Sequence, residues 1–359
     1  MKERNNSLDL YRVLCMFLIT TIHIIGYGNI MPSNSVNAFL VDLIEVLQYF
    51  SISGFTLISG FFLVNKTSTK DKIISFIPLI FFYSVTIFLI SLTFNRNFTV
   101  PVLAKVFLPT AFVHYWYPVN YLFLLLLVPF LNQFIHSLSR IRLLSFISVL
   151  AFITSVFYHF SPFVDPTTYI GHYSHSILWF VLLYFISAYI RIYGVKRKKL
   201  FGPVMFFICG ALIFVIRIKA EHRIFDYINV LMYNSILSLF FTVSSFIMFT
   251  NFKIRFGKRM SSVLSYCMPA VFVVYLIQEH VAVRDTLWKF VNINKWAGSV
   301  WLIPIMISVF LALLIIAVIL NAVYQLAHKL FIGKLENVAL KMCDRIEDTI
   351  KSKYFEYSN

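Results

Sequence analysis

The chain has 359 residues, of which 60% are hydrophobic and 13% are charged, and its mean hydropathy is +0.82. An average soluble domain carries about 25% charged residues, and no soluble globule could bury this much apolar surface, so the composition excludes a soluble globular protein. The formal net charge is +16. In a membrane protein the anionic lipid of the inner leaflet accounts for such a charge, and we expect no nucleic-acid partner.

Apolar runs long enough to cross a hydrocarbon core of about 30 Å recur along the chain. They predict an all-α polytopic bundle of about ten transmembrane helices, near residues 8–26, 38–64, 74–94, 118–136, 143–160, 174–192, 200–217, 229–250, 262–282 and 299–326.

Lysine and arginine are distributed unevenly between the two predicted sides of the membrane. With a cytoplasmic amino terminus, 23 of the 31 Lys and Arg residues fall on the inner side, as the positive-inside rule requires. The sequence therefore predicts that both termini are cytoplasmic. It also divides the chain into a transmembrane domain, residues 1–330, and a cytoplasmic amphipathic tail on the inner membrane surface, residues 331–359.

The first predicted helix carries the ionisable residues Asp9, Arg12 and His23. Such residues are costly inside a membrane and mark functional sites. At 100° per residue, His23 returns to within roughly 20° of the face of Arg12, and Asp9 lies one turn before Arg12. The rise of the helix separates Arg12 from His23 by about 16 Å. This stripe suits a long substrate with an anionic head.

The second predicted helix offers carboxylates for the same site. Glu45 lies at a depth that His23 could share, and a carboxylate that orients an imidazole is a common second member of a catalytic site. Asp42, one turn earlier, is the alternative. Either carboxylate could instead be exposed to water at the mouth of the helix.

Basic residues collect on the predicted inner side. Arg140, Arg142 and the run from Lys196 to Lys199 can attract the phosphates of a cytosolic ligand such as coenzyme A, although attraction to anionic lipid is the alternative. There is no P-loop and no dinucleotide-binding motif, so we expect no permanently bound cofactor.

Aromatic residues lie at the predicted outer boundary, where an interfacial belt is the ordinary interpretation. Trp116 is the best candidate for stacking on a sugar ring, and Tyr121 follows it in the same segment. His172 and His175 share an outer loop without an acidic or cysteine companion, so we expect no metal site there.

Several segments together resemble a known family. The stretch from Arg4 to His23, with its Leu-Asp pair, Arg12 and His23, resembles the signature of the acyltransferase-3 family of integral membrane acyltransferases. Further likeness extends over residues 4–330 and is found in Leu57 to Leu63, Tyr115 to Tyr121, Pro129 to Asn132 and Val274 to His280. Gln278 stands where many relatives have a histidine, so a role for that imidazole is not carried over, although His280 lies two positions on.

The resemblance implies an enzyme of the bacterial plasma membrane that moves an acyl group, usually acetyl, from cytosolic acyl-CoA to a hydroxyl of an extracytoplasmic glycan. His23 would accept the hydroxyl proton or carry the acyl group itself, unless it is only a buried structural histidine. Arg12 would hold the donor, or pair with Asp9. Glu279 and His280, near the outer end of the ninth predicted helix, are weaker candidates for substrate contact.

Two other functions remain open at this stage. Intramembrane charges also mark translocation paths, so the leading alternative is a transporter or flippase for a lipid-linked or acidic sugar. The second is a sensor that binds acyl-CoA without turnover. Some relatives carry an extracytoplasmic domain after the membrane part, and we expect any such partner of this chain to be a separate polypeptide.

Overall fold

The computed structural model describes residues 5–157, 176–195, 200–220, 232–252 and 254–356, and every regular element within these ranges is a helix. In chain order the α-helices are α1 (Asn6–Gly28), α2 (Ser35–Gln48), α3 (Ser51–Leu63), α4 (Lys70–Ser91), α5 (Val100–Phe107), α6 (Trp116–Ser137), α7 (Arg140–Ala151), α8 (Ile177–Tyr193), α9 (Phe201–Ala220), α10 (Ile236–Asn251), α11 (Lys258–Gln278), α12 (Arg284–Val291), α13 (Leu302–Ala327) and α14 (Gly333–Glu356). Shorter 3-10 and π turns cover Val113–Tyr115, Phe152–Phe157, Ile293–Trp296 and His328–Ile332.

The helices confirm the predicted polytopic bundle. Among the described residues, eight helical segments are long and apolar enough to cross a membrane, and α8 and α10 are shorter apolar helices. These ten segments fall, one for one, on the predicted ten. The side of the membrane on which the termini lie stays a prediction.

The second predicted segment is two helices rather than one. α2 ends at Gln48 and α3 begins at Ser51, and the hydroxyl of Ser51 donates to the carbonyl of Gln48 at 2.7 Å. The hydroxyl of Thr242 reaches the carbonyl of Tyr49 at 3.4 Å. Side-chain hydroxyls thus take up carbonyl oxygens that the break frees, as a broken helix inside a membrane requires.

Helix α1 lies at the centre of the bundle, because it packs against α2, α3, α10, α11, α12 and α13. Its closest approach to α3 depends on Gly54. A methyl group on Gly54 would lie 2.7 Å from the Tyr11 hydroxyl and 2.8 Å from the Cys15 sulfur. Gly60, one and a half turns on, faces Ser187 and Tyr184 of α8 in the same way. The Leu57 to Leu63 segment is therefore a close-packing surface.

Hydrogen bonds join the loops at the end of the bundle where α1 finishes. The Asn34 side chain donates to the carbonyl of Gly298 at 3.0 Å, and the Asn37 side chain donates to the carbonyl of Ala297 at 2.9 Å. The sequence assigns both loops to the outer side, and the structure brings them to one end.

The tail forms helix α14, which α13 reaches through the π turn His328–Ile332. The ammonium group of Lys70, at the start of α4, ties it to the bundle through Asp344 at 2.5 Å and Glu347 at 2.9 Å. An exposed apolar stripe runs along α14 and consists of Leu335, Val338, Met342, Ile346 and Ile350. The position of this helix on the inner membrane surface stays a prediction.

Candidate active site at the end of the first helix

The imidazole of His23 pairs with a carboxylate from the far end of the sequence. His23 lies in the penultimate turn of α1, and its Nε2 atom is 3.1 Å from Oε1 of Glu279, the residue that caps α11. The two side chains are only 15% and 7% exposed. Because an ionised carboxylate can only accept, Nε2 carries the imidazole proton and Nδ1 keeps its lone pair.

The free nitrogen of this histidine is buried. Within the described part of the chain, neither Nδ1 of His23 nor Oε1 of the neighbouring Gln278 has a partner in good hydrogen-bond geometry. The two side chains are nevertheless close enough to interact. A buried polar atom without a well-formed hydrogen bond is costly and calls for an explanation, of which a catalytic role is one.

Tyr27 and Arg284 complete the surroundings of Glu279. The Tyr27 hydroxyl donates to Oε1 of Glu279 at 3.0 Å, and Nη1 of Arg284 lies 4.0 Å from Oε2. The Arg284 guanidinium also lies 4.9 Å from the centre of the Tyr27 ring. Burial raises the pKa of Glu279 to about 6, so the carboxyl group is largely ionised at neutral pH.

A small cavity lies on one side of His23, and we call it the aromatic cavity. Its volume is about 30 Å³, which is room for about two water molecules. The lining consists of Met16, Ile19, His23, Ile52, Phe55, Trp116, Tyr117, Phe272 and Tyr275. Trp116, predicted to contact substrate, thus lies at the same cavity as His23.

The charge of Arg12 is directed to the same region of the bundle. Arg12 interacts electrostatically with the side chains of Tyr117 and Tyr121. Tyr117 lines the aromatic cavity, and the Tyr121 ring packs edge-on against Phe76 at 5.1 Å. Tyr117 therefore lies within electrostatic range of Arg12 and lines the same cavity as His23. Asp9 lies in the first turn of α1.

A larger pocket, the α12 pocket, opens on the other side of His23. Its volume is about 440 Å³, and its walls are Tyr27, Gly28, Asp285, Trp288, Lys289 and Asn292. The centre of the His23 ring lies 5.6 Å from that of Tyr27 and 6.5 Å from that of Trp288. The imidazole therefore lines the small apolar cavity and is separated from the large polar pocket by the rings of Tyr27 and Trp288.

The carboxylates of α2 are bound elsewhere, which corrects the predicted pairing of Glu45 with His23. Arg217 of α9 forms ion pairs with both Glu45 and Asp42, the latter at 3.0 Å. A buried carboxylate needs a cationic partner, and Arg217 supplies it. The carboxylate that meets His23 is Glu279, which sequence reasoning named only as a weaker candidate.

His280 has a different environment from its neighbour Glu279. It is completely buried, its Nε2 donates to the carbonyl of Ser84 at 2.9 Å, and its Nδ1 accepts from the backbone N–H of Ala282 at 3.2 Å. Burial lowers its pKa to about 4, so the ring is neutral. Both ring nitrogens are occupied, so in this structure His280 connects the end of α11 to α4. Its contact with a substrate stays a prediction.

The basic residues proposed to attract donor phosphate lie at the opposite end of the bundle. Nε of Arg140 donates to the Tyr189 hydroxyl at 3.0 Å, and the guanidinium lies 5.4 Å from the centre of the Tyr193 ring. Arg142 lies in the first turn of α7. The run from Lys196 to Lys199 and the loop with His172 and His175 fall outside the described residues.

Comparison with known proteins identifies a family for most of the chain. The acyltransferase-3 family model, which describes an acyltransferase domain, matches residues 5–322. An amino-acid racemase of Enterococcus faecalis is 28% identical over 126 residues, which are 33% of this chain and 18% of the racemase. The chain thus spans less than a fifth of the length of that relative. No solved structure matches the chain.

Proposed function

Because the chain belongs to the acyltransferase-3 family of integral membrane acyltransferases, we propose that it moves an acyl group, acetyl in the first place, from acyl-CoA to a hydroxyl of a cell-envelope or exported polysaccharide. The donor would enter from the cytoplasmic side, at the Arg12 end of the bundle, and the acceptor from outside. The proposal places the enzyme in the bacterial plasma membrane.

The observation that carries this proposal is the 3.1 Å contact between His23 and Glu279, beside a cavity that His23 lines and with Nδ1 outside good hydrogen-bond geometry with any described group. In direct transfer, Nδ1 takes the proton of the acceptor hydroxyl while the hydroxyl oxygen attacks the thioester carbonyl. The new C–O bond forms, the C–S bond breaks, and the leaving thiolate receives the proton from the imidazolium. Glu279 stabilises the imidazolium.

The same lone pair serves the second route that the chemistry allows. Nδ1 would attack the thioester carbonyl, the C–S bond would break, and the thiolate would leave while the acyl group stays on an imidazolium whose Nε2–H is held by Glu279. The acceptor hydroxyl would then take the acyl group, and its proton would pass to the thiolate. Both routes need Nδ1 unprotonated and Nε2 held by Glu279. The role of Glu279 is therefore common to both.

The donor side fits a short acyl group. The aromatic cavity of about 30 Å³ has room for a two-carbon acyl group but not for a long chain. Arg12 lies further along the same stripe and would contact a phosphate or carbonyl of the donor. Arg140 and Arg142 would raise the local concentration of a phosphorylated donor by long-range attraction.

The test is the transfer of radiolabelled acetyl from acetyl-CoA to envelope glycan by the detergent-purified protein. We expect label in the glycan with the wild type and none with His23→Ala. His328→Ala is the matched control, because His328 meets Glu336 at 3.2 Å in the same kind of pair at the α13–α14 junction. Absence of acetyl-CoA turnover by the wild type would overturn the proposed function, and wild-type activity of His23→Ala would overturn the mechanism.

A further inference from the structure

The α12 pocket is built differently from the aromatic cavity on the other side of His23. It is more than ten times larger, about 440 Å³ against about 30 Å³. The pocket is lined by four polar side chains: the carboxylate of Asp285, the ammonium group of Lys289, the amide of Asn292 and the hydroxyl of Tyr27. Mixed donors and acceptors beside aromatic rings suit a ring that carries several hydroxyl groups.

The two charged groups that line this pocket, Asp285 and Lys289, differ in their pairing. Asp285 pairs with Arg284, whose Nε lies 3.1 Å from the Asp285 carboxylate and whose Nη1 lies 4.0 Å from Glu279. Lys289 takes part in none of the ion pairs found among the described residues. The exposed ammonium of Lys289 is thus left for an anionic group from outside the chain.

Trp288 supplies a second, independent observation. Its side chain is buried at the wall of the pocket, and its indole N–H, which is itself shielded from solvent, has no hydrogen-bond partner within the described structure. A small shift of the side chain would bring the N–H to the pocket. An indole N–H can only donate, so the group that would satisfy it is an oxygen acceptor. The hydroxyl and carboxylate oxygens of a sugar are such acceptors.

We propose that the α12 pocket holds one acidic pyranose unit of the acceptor, with Lys289 on its anionic group and the Trp288 N–H on a ring or hydroxyl oxygen. This inference rests on the proposed function, since it gives that reaction its acceptor class. Lys289 and Trp288 would then determine acceptor specificity, while His23 performs the chemistry.

A sugar ring in this pocket would be separated from His23, the proposed base, by the ring of Tyr27. Tyr27 lines the pocket and reaches Glu279 with its hydroxyl, and its ring is 5.6 Å from the His23 ring. Tyr27 is 41% exposed, so its side chain has space to turn outward. Its rotation would open the way for a sugar hydroxyl to Nδ1 of His23.

The experiment measures binding without the donor, so that its result is independent of acyl transfer. The probes are a glucuronate-containing tetrasaccharide and the neutral tetrasaccharide chitotetraose, each titrated calorimetrically into the detergent-purified full chain. We expect the acidic probe to bind at least about tenfold more tightly than the neutral one, because a charge-assisted contact adds about 1.4 kcal/mol or more.

Two substitutions locate the binding. Lys289→Gln should weaken the binding of the acidic probe about tenfold. Lys295→Gln should leave that binding unchanged, because Lys295 is an exposed lysine at the same end of the bundle that lies over the Trp296 ring instead of lining the pocket. Trp288→Phe, which keeps a ring but removes the N–H, should weaken both probes. Equal binding of the two probes, or wild-type affinity in Lys289→Gln, would overturn the inference.

The two proposals fail separately. Binding that depends on Lys289, together with no acetyl-CoA turnover, would support the pocket and remove the acyl-transfer function. Acetyl transfer to glycan, together with no effect of Lys289→Gln on binding or on the acceptor KM, would keep the function and remove this pocket as the acceptor site.

Discussion

Replacing Glu279 by Gln separates the catalytic role of this carboxylate from a structural one. The amide has nearly the same shape, and its oxygen can still accept from Tyr27 and from Nε2 of His23. What the substitution removes is the negative charge beside the imidazole. We expect transfer activity to fall while the protein remains folded in the membrane.

The size of the loss follows from the hydrogen bond at 3.1 Å. A hydrogen bond to a charged group contributes about 1.5–3 kcal/mol and a neutral one about 0.5–1.5 kcal/mol, so losing the charge removes about 1–2 kcal/mol from the imidazolium. That corresponds to a fall in kcat of about 5- to 30-fold. If the amide instead turns its N–H to Nε2, Nδ1 carries the proton, and the loss rises toward about 10⁴-fold.

Stability should change in the opposite sense. Burial raises the pKa of Glu279 from 4.5 to about 6, so the ionised carboxylate disfavours the folded state by about 2 kcal/mol above pH 6, and this cost disappears below pH 4.5. Gln carries no charge at any pH. At pH 7 the Glu279→Gln protein should therefore melt at the same temperature as the wild type or higher.

The assay is acetyl transfer with kcat and KM determined separately, together with a thermal melt in the same detergent. Glu336→Gln is the matched control, because Glu336 meets His328 at 3.2 Å far from the site, and its kcat should equal that of the wild type. Glu45→Gln should lower the melting temperature because Arg217 keeps only its ion pair with Asp42, and kcat should stay within about threefold of the wild type. A Glu279→Gln enzyme within twofold of wild-type kcat, or a Glu45→Gln enzyme that is folded and inactive, would refute the assignment of Glu279.

Three further predictions concern the pH dependence of activity, the packing at Gly60 and the role of Arg12. Activity of the wild type should rise from pH 5 to pH 7 with a midpoint near 6, the pH at which Glu279 ionises, and a kcat/KM profile of Glu279→Gln should lack this step. Gly60→Ala should lower the free energy of unfolding by about 1–3 kcal/mol, because the new methyl group meets Ser187, and Ser187→Ala should restore part of the loss in a double-mutant melt. Arg12→Lys should raise the apparent KM for acetyl-CoA, whereas an unchanged KM would indicate a structural role for the guanidinium.

Hydropathy predicted the membrane helices because each span must satisfy its backbone internally and present apolar side chains to lipid. That constraint is local, so it can be read from one segment at a time. The break between Gln48 and Ser51 was missed because no Gly or Pro marks it. It is stabilised by hydroxyl groups, one of them from Thr242, almost two hundred residues away.

The partner of His23 was harder to predict for a similar reason. Along one helix the relative positions of Arg12 and His23 follow from the helical period, and in the structure both residues lie near Tyr117 of α6. Choosing between Glu45 and Glu279 requires knowing which helix end packs beside α1. One signal was present in the sequence: Arg217 is a cation at the predicted outer end of its span, and a partly buried carboxylate such as Glu45 is stabilised by one.

The two cavities differ in size, and this difference would assign one proposed substrate to each of them. A donor that delivers its acyl group into about 30 Å³ must be narrow at its reacting end, whereas an acceptor held in about 440 Å³ can be as broad as a sugar ring. On the proposed function, the two substrates therefore could not exchange places. His23 lines the smaller cavity, and its ring lies 5.6 Å from that of Tyr27 and 6.5 Å from that of Trp288, both of which line the larger pocket. The two proposed substrates would thus approach the same imidazole from two separate spaces, and acyl transfer at that imidazole would need no open channel through the bundle.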